Sequence, residues 1–222
     1  MFVDVLYEDN HVIIVNKATN VLVQSDTTGD TSLEDAVKLY IKEKYNKPGE
    51  VFLGVIHRID RPVSGVVLFA KTSKALTRLN EQLKKKEFKK TYRAIVKQKP
   101  IPESSILKHY IVRNPKINKS IAYDKPTADA KEASLAYRTI AQSQNYYLLD
   151  IDLHTGRHHQ IRCQLAKIGC PIKGDLKYGF ARSNQNGGIS LHAYSLTFVH
   201  PVSKEEISVI APLPHDDIWH VF

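Results

Sequence analysis

Residues His57-Arg58-Ile59-Asp60-Arg61-Pro62-Val63-Ser64-Gly65 set one carboxylate, Asp60, between two arginines. A second basic cluster, Leu153-His154-Thr155-Gly156-Arg157-His158-His159-Gln160-Ile161-Arg162, follows much later in the chain. Nearby guanidinium charge favours the ionised form of a carboxylate. Such a group suits nucleophilic or electrostatic work, whereas a general acid must hold its proton near neutral pH. The chain carries 32 Lys and Arg against 23 Asp and Glu, a net charge of +9. An ionised carboxylate on so basic a chain points to chemistry on a polyanion, with nucleic acid as the leading partner. The competing structural reading of Asp60 is a turn or cap residue, Asp being common in turns.

The elements that must position these groups read as α+β. Val12–Val15 is a short buried strand preceded by a turn at Tyr7–Asn10. Thr31-Ser32-Leu33-Glu34 has the form of a capping box, and Leu33, Val37 and Ile41 follow at helical spacing. Apolar strands at Val51–Ile56 and Gly65–Ala70 flank Asp60, which places it on a loop held by a rigid sheet. Thr72 or Ser73 caps a helix to about Glu87 with Ala75, Leu76, Leu79 and Leu83 inward. Its end, Lys84-Lys85-Lys86, reads either as a solvated terminus complementing the helix dipole or as a phosphate-contacting patch. Strands are expected at Tyr92–Val96, Ala133–Ile140, Tyr146–Leu153, Ile189–Phe198 and Glu206–Ala211. A helix is expected from His158 to Ile168 with Ile161, Leu165 and Ile168 on one face, and a short helical tail after Pro214.

At 222 residues, without repeats or a convincing linker, the expectation is one domain spanning 1-222. The opening residues carry acids and no basic n-region, and no apolar run reaches the ~20 residues of a membrane span. The two cysteines, Cys163 and Cys170, read as free buried thiols. The reading is a soluble, cytoplasmic protein. His154, His158, His159 and Cys163 lack the spacing and second ligand pair of a zinc site, so no metal is expected. His57 with His109 or His154 would suit acid–base ribonuclease chemistry, a rival that leaves the Arg-x-Asp-Arg-x-x-Ser-Gly spacing unexplained.

The segment His57–Gly65 resembles the catalytic signature of the RluA family of pseudouridine synthases, His-Arg-Leu-Asp-x-x-Thr-Ser-Gly. Tyr7–Lys17 is similar to the family's N-terminal motif, Lys90-Thr91-Tyr92 to its Lys-x-Tyr, and Thr155–Arg162 to its Thr-Gly-Arg-x-His-Gln-Ile-Arg. Pro171–Gly179 and Leu191-His192-Ala193 through His200-Pro201 resemble the last two blocks, in the family's order. Two departures stand out: Lys17-Ala18-Thr19-Asn20 replaces the usual Lys-Pro-x-Gly, and Val63 replaces Thr. The first block starts at Tyr7, which suggests a short form without the N-terminal RNA-binding domain of many relatives.

The resemblance implies the pseudouridine synthase catalytic core, an α+β fold with a mixed, mostly antiparallel sheet, flanking helices and a central cleft. It implies an isomerase that converts uridine to pseudouridine in ribosomal or transfer RNA, with Asp60 essential and no cofactor. By the same resemblance Arg58 fills the gap left by the flipped base, Tyr92 stacks on the uracil, and Arg162 pairs with Asp60 and holds it ionised. The plainer alternatives are a phosphate contact for Arg58, a core tyrosine for Tyr92 and a surface helix arginine for Arg162. His57, Arg61, Lys90, Arg157 and Gln160 join the expected RNA-contacting set. Gly156-Arg157 would approach phosphate at a helix start, and Gln160 reads equally as a buried hydrogen-bonding residue. The partner is an RNA stem-loop, no membrane is involved, and a monomer is the default. A catalytically silent RNA-binding protein of the same fold is the second reading.

Overall fold

The structure, a computed structural model, describes residues 1–25, 29–215 and 218–222. It divides into two compact units, Met1–Phe88 with Ala193–Pro212, and Lys89–His192 with Leu213–Phe222. The first unit opens with β1 (Asp4–Glu8), β2 (Val12–Lys17), α1 (Leu33–Lys44), β3 (Gly54–Val55), β4 (Ser64–Ala70) and α2 (Ser73–Lys84). The second holds β5 (Lys89–Val96), β6 (Ser104–Asn114), β7 (Lys119–Tyr123), β8 (Lys131–Gln142), β9 (Tyr147–Leu153) and α3 (Gln160–Lys167). β10 (Leu191–Val199) then carries the chain back into the first unit, which β11 (Glu206–Ile210) completes. The α+β reading holds, and every strand register described is antiparallel.

In the first unit β2 pairs with β1 on one side and β4 on the other, β3 adds to β4, and β11 pairs with β10. Val12, Ile13, Ile14 and Val15 are all buried, as expected for a strand covered on both faces. Tyr7 and Glu8, read from sequence as turn, finish β1 instead. The turn is made by the Asp9 carboxylate, which accepts the His11 and Val12 N–H groups at 2.7 and 2.8 Å. The α1 capping box lies one residue beyond the expected pair: Ser32 is the cap and Asp35 its partner. The Val51–Ile56 stretch keeps Val51, Leu53 and Ile56 buried, yet only Gly54 and Val55 form ladder bonds. β4 is buried along its whole length, and α2 covers it with Ala75 and Leu79, while Leu76 and Leu83 pack at the margin of the same core. The Thr72 hydroxyl accepts the Ala75 N–H at 3.1 Å and starts α2.

Among the described residues, the three α-helices all end in the same backbone lock, with paired 6→1 and 5→2 bonds and one residue in the left-handed region. That residue is Asn46 (φ 46°) after α1, Gly169 (φ 78°) after α3 and Lys86 (φ 59°) after α2. Gly takes this conformation freely and Asn readily, whereas an ordinary side chain costs about 1–2 kcal/mol there.

The second unit is an antiparallel sheet in the order β5–β9–β8–β6–β7. Alternation along β6, β7 and β8 sends Ile111, Ala122 and Ala133 to one face, where Cys163 of α3 and Tyr178 pack on them. α3 begins at Gln160 and not His158, because His159 is left-handed (φ 52°) and cannot belong to the helix. Ile161 and Leu165 are buried as expected, while Ile168 is the half-buried cap residue. The expected tail after Pro214 is a single 3-10 turn at Trp219–Val221; residues 216–217 lie outside the described set.

Gly65 is the position where the first unit tolerates no side chain. Its φ is +114°, and a Cβ there would drive into the Ala193 carbonyl. A Cβ at Gly156 would meet nothing within 4 Å. Gly65→Ala is therefore expected to lose more than about 2 kcal/mol of stability or fail to fold. Gly156→Ala should stay within about 0.5 kcal/mol of wild type in urea denaturation. Equal midpoints for the two variants would refute the close approach of β4 and β10.

Candidate active site

The Asp60 loop runs from Ile56 to Val63 and is pinned by buried Ile56, Ile59 and Val63. Where β3 leaves β4, the His57 Nε2 takes over as acceptor for the Leu68 N–H at 3.2 Å. That bond disfavours a proton on Nε2 and ties the loop's first residue to β4. The Asp60 carbonyl accepts the Val63 N–H at 3.0 Å and closes a turn over Arg61-Pro62. Asp60 is half-buried and Arg58 exposed, so the loop presents both at its surface. The Arg61 guanidinium, expected to contact RNA, is engaged within the unit: its Nε donates to the Asn20 carbonyl at 3.2 Å and Nη2 meets Asp30 at 2.9 Å. Both partners of that ion pair are about half exposed, so it is weak and open to exchange.

Beneath the loop lies Lys17, fully buried at the end of β2. Its ammonium donates to the carbonyls of Ala18 (3.0 Å), Val21 (2.7 Å) and Arg61 (3.1 Å). Burial lowers the Lys17 ammonium from 10.5 to about 7; the Asp60 charge opposes that shift and the Arg61 charge adds to it. Lys17 thus stitches the 18–21 turn to the Asp60 loop and sits within electrostatic reach of the carboxylate. The Thr19 hydroxyl adds a bond to the Pro62 carbonyl at 2.9 Å. Asn20 is left-handed at φ 62°, so it adopts the conformation that the family's Gly would supply, and the departure in this motif leaves the turn intact. In sequence Lys17 stands out only as the end of a motif. Its one further signal is a charged residue two positions beyond an unbroken apolar run, Val12-Ile13-Ile14-Val15.

In the second unit Tyr92 is buried on β5 opposite Ile151 of β9. Two residues earlier Lys90 is half-buried, and burial lowers its ammonium to about 8. Arg162 is no surface arginine: it is 5% exposed and grips the Asp175 carboxylate with two bonds, Nε to Oδ2 at 2.7 Å and Nη2 to Oδ1 at 2.9 Å. Its guanidinium carbon stands 5.1 Å from the centre of the Tyr178 ring. The Tyr178 hydroxyl accepts the Ser120 N–H at 2.8 Å and meets His159 Nδ1 at 3.0 Å. Burial, with the charges of Arg162, His158 and Lys177, pushes His159 far below its usual range. Nδ1 of a neutral His159 then accepts a hydrogen bond from the Tyr178 hydroxyl, which keeps its proton. Asp175 and Tyr178 lie within the Pro171–Gly179 block, but nothing else marks them there; a lone Asp beside a Gly is poorly distinguished from a turn residue in sequence.

The Thr155–Arg157 stretch is held by Gln160, 3% exposed. Gln160 Oε1 accepts the Thr155 hydroxyl at 2.8 Å and the Arg157 N–H at 2.9 Å, and Nε2 donates to the Ser134 carbonyl at 3.1 Å. Gln160 is thus the buried hydrogen-bonding residue of the second reading. The Arg157 side chain is exposed, with Nε on the Glu132 carbonyl at 2.9 Å. The histidines go separate ways: His154 to the Ser134 hydroxyl, His158 to Ser120 and Asn118, and His109 inward to Gln164.

Lys17 generates a pH prediction. Its folded value of about 7 lies below the ordinary 10.5, so between these limits the unfolded chain binds more protons and stability rises with pH. Lys17→Met removes that slope. The wild type should gain on Lys17→Met by up to about 1.4 kcal/mol per pH unit between about pH 7 and pH 9 in paired urea denaturations. Parallel curves would show that Lys17 titrates normally.

A family model described as RNA pseudouridylate synthase matches residues 11–167. An RNA pseudouridine synthase of Synechocystis sp. is 33% identical over 214 residues, covering 95% of this chain and 65% of that protein. The RNA pseudouridine synthase YlyB of Bacillus subtilis is 32% identical over 97% of this chain and 71% of its own length. Ribosomal large subunit pseudouridine synthase C of Buchnera aphidicola is 34% identical, with 95% and 67% covered. The chain spans about two thirds of the length of these relatives. Among solved structures, human RNA pseudouridylate synthase domain containing 4 superposes with a TM-score of 0.79 at 22% identity, over 96% of this chain and 89% of that one, a shared fold. The matched region runs from β2 through the Asp60 loop and β5 to the end of α3, and the chain belongs to the RluA family of RNA pseudouridine synthases.

Proposed function

We propose that this chain isomerises uridine to pseudouridine in structured RNA, with Asp60 as the essential carboxylate. The observation that carries the reading is the Asp60 loop itself: a half-buried carboxylate on a turn held by a buried ammonium, two side-chain-to-backbone ties and three apolar anchors. Such rigidity is what a group needs to meet one reacting atom. The reaction breaks the bond between ribose C1′ and the ring nitrogen, turns the uracil, and joins C1′ to C5, whose proton leaves while the nitrogen regains one. Atoms and electrons balance within one nucleotide. Asp60 enters by adding to the ring, by attacking C1′, or by removing a ribose proton to give a glycal; each route uses an ionised carboxylate.

The family's pattern assigns the remaining roles. Tyr92 stacks on the uracil, Arg58 occupies the space the base leaves, and Arg162 holds the carboxylate ionised, with Asp175 orienting its guanidinium. His57, Lys90, Arg61, Arg157 and Gln160 support or contact the RNA strand. Extruding the base costs a few kcal/mol, which phosphate contacts on a chain of net charge +9 offset. Relatives named as ribosomal large subunit pseudouridine synthases support large ribosomal RNA as substrate, ahead of transfer RNA, and within it the proposed target is a stem-loop. The protein then works in the cytoplasm, as a monomer.

Carbodiimide mapping of total RNA tests this in a strain lacking the protein and in one carrying Asp60→Ala. The expected result is loss of the same pseudouridine site in both. Unchanged maps at every ribosomal and transfer RNA position would leave a silent RNA-binding protein as the better reading.

A further inference from the structure

Three helices end in one backbone lock, and only one of them puts a lysine in its left-handed position. α1 uses Asn46 and α3 uses Gly169, residues suited to that conformation, whereas α2 uses Lys86. A charge at the end of a helix is explained by the dipole, and α1 and α3 also carry lysines in their last turns. The dipole does not explain a lysine one residue beyond the cap, where glycine would be less strained. The strained lysine at this helix end therefore directs attention to its charge and to the charges around it.

The neighbourhood says what that is. Lys84, Lys85 and Lys86 are consecutive and all exposed. Among the described residues none of the three side chains has a hydrogen bond or ion pair. Between Lys84 and Lys90 the sequence holds five lysines and one glutamate. Lys204, left-handed at φ 68° in the turn before β11, is followed by Glu205 and Glu206 and makes no such patch.

We infer that Lys84, Lys85 and Lys86 at the end of α2 form a docking site for the phosphate backbone of the RNA substrate, outside the reacting nucleotide. The inference rests on the proposed function for the identity of the polyanion. Three flexible ammonium groups supply charge without sequence reading, so the patch adds affinity and salt dependence and leaves the choice of uridine to the loop and its surroundings.

The test compares wild type with Lys86→Gly, with Lys84→Gln/Lys85→Gln/Lys86→Gly and with Lys204→Gly as control. Affinity for a fluorescein-labelled RNA hairpin is read by anisotropy across ~50–200 mM salt, beside the thermal midpoint and pseudouridine formation in large ribosomal RNA. Lys86→Gly should raise the midpoint and weaken RNA binding together. The triple variant should bind at least about tenfold more weakly at low salt, with a salt slope shallower by about 2. Lys204→Gly should raise the midpoint and bind RNA like wild type. Wild-type affinity and slope in the triple variant overturn the inference, as does a loss confined to binding of anionic phosphatidylglycerol vesicles. Failure of the proposed function is read separately: wild type that forms no pseudouridine, while the triple variant still loses slope, refutes the reaction and keeps the patch.

Discussion

One buried ammonium organises the first unit. Lys17 closes a strand whose preceding apolar residues are wholly buried, and burying its charge without partners would cost several kcal/mol. Three carbonyls and the nearby Asp60 charge offset that cost. The arrangement works in both directions. The carbonyls of Ala18, Val21 and Arg61 would lose their shared donor without Lys17, and the 18–21 turn and the Asp60 loop would lose the tie between them. The loop's geometry is therefore set by a contact between residues 44 positions apart. Its other boundaries are equally unforgiving, with Gly65 in a conformation and a space that admit no side chain.

The second unit applies the same economy of buried charge. Arg162 and Asp175 satisfy one another bidentately, and Tyr178 both flanks the guanidinium and donates to a neutral His159. Removing either partner of such a pair leaves an uncompensated buried ion, which is far more damaging than replacing both. The planar fork of arginine suits this site in a way lysine cannot match. In each unit a buried charged side chain is held rigid by its own partners.

The Asp60 loop is legible in the sequence because it lies between two apolar runs, and both flanks did become strand or buried anchor. β8 and β9 are legible through alternation. What escapes has a common cause in side-chain geometry. Tyr7-Glu8-Asp9-Asn10 looks like turn material, yet the turn spans only Asp9–His11 under the Asp9 carboxylate and leaves Tyr7 and Glu8 to β1. Thr31 and Ser32 both fit a cap, and Ser32 takes the position because Asp35 returns its bond. His159 gives no sign in sequence that it will take a left-handed backbone and delay α3. Lys17, Asp175 and Tyr178 are visible as members of motifs, but their burial and pairing depend on contacts that composition and periodicity do not encode.

In the proposed reaction the chemistry rests on one carboxylate, with Asp60, held rigidly by its loop, assigned to breaking and remaking the bond between uracil and ribose. Release of tritium from RNA labelled at uracil C5 follows that step directly, since the C5 proton leaves only when the new bond forms. Purified wild type should release label from large ribosomal RNA, and Asp60→Asn, which keeps the size of the side chain and its RNA binding, should release none. Release by Asp60→Asn at the wild-type rate would contradict that role for the carboxylate.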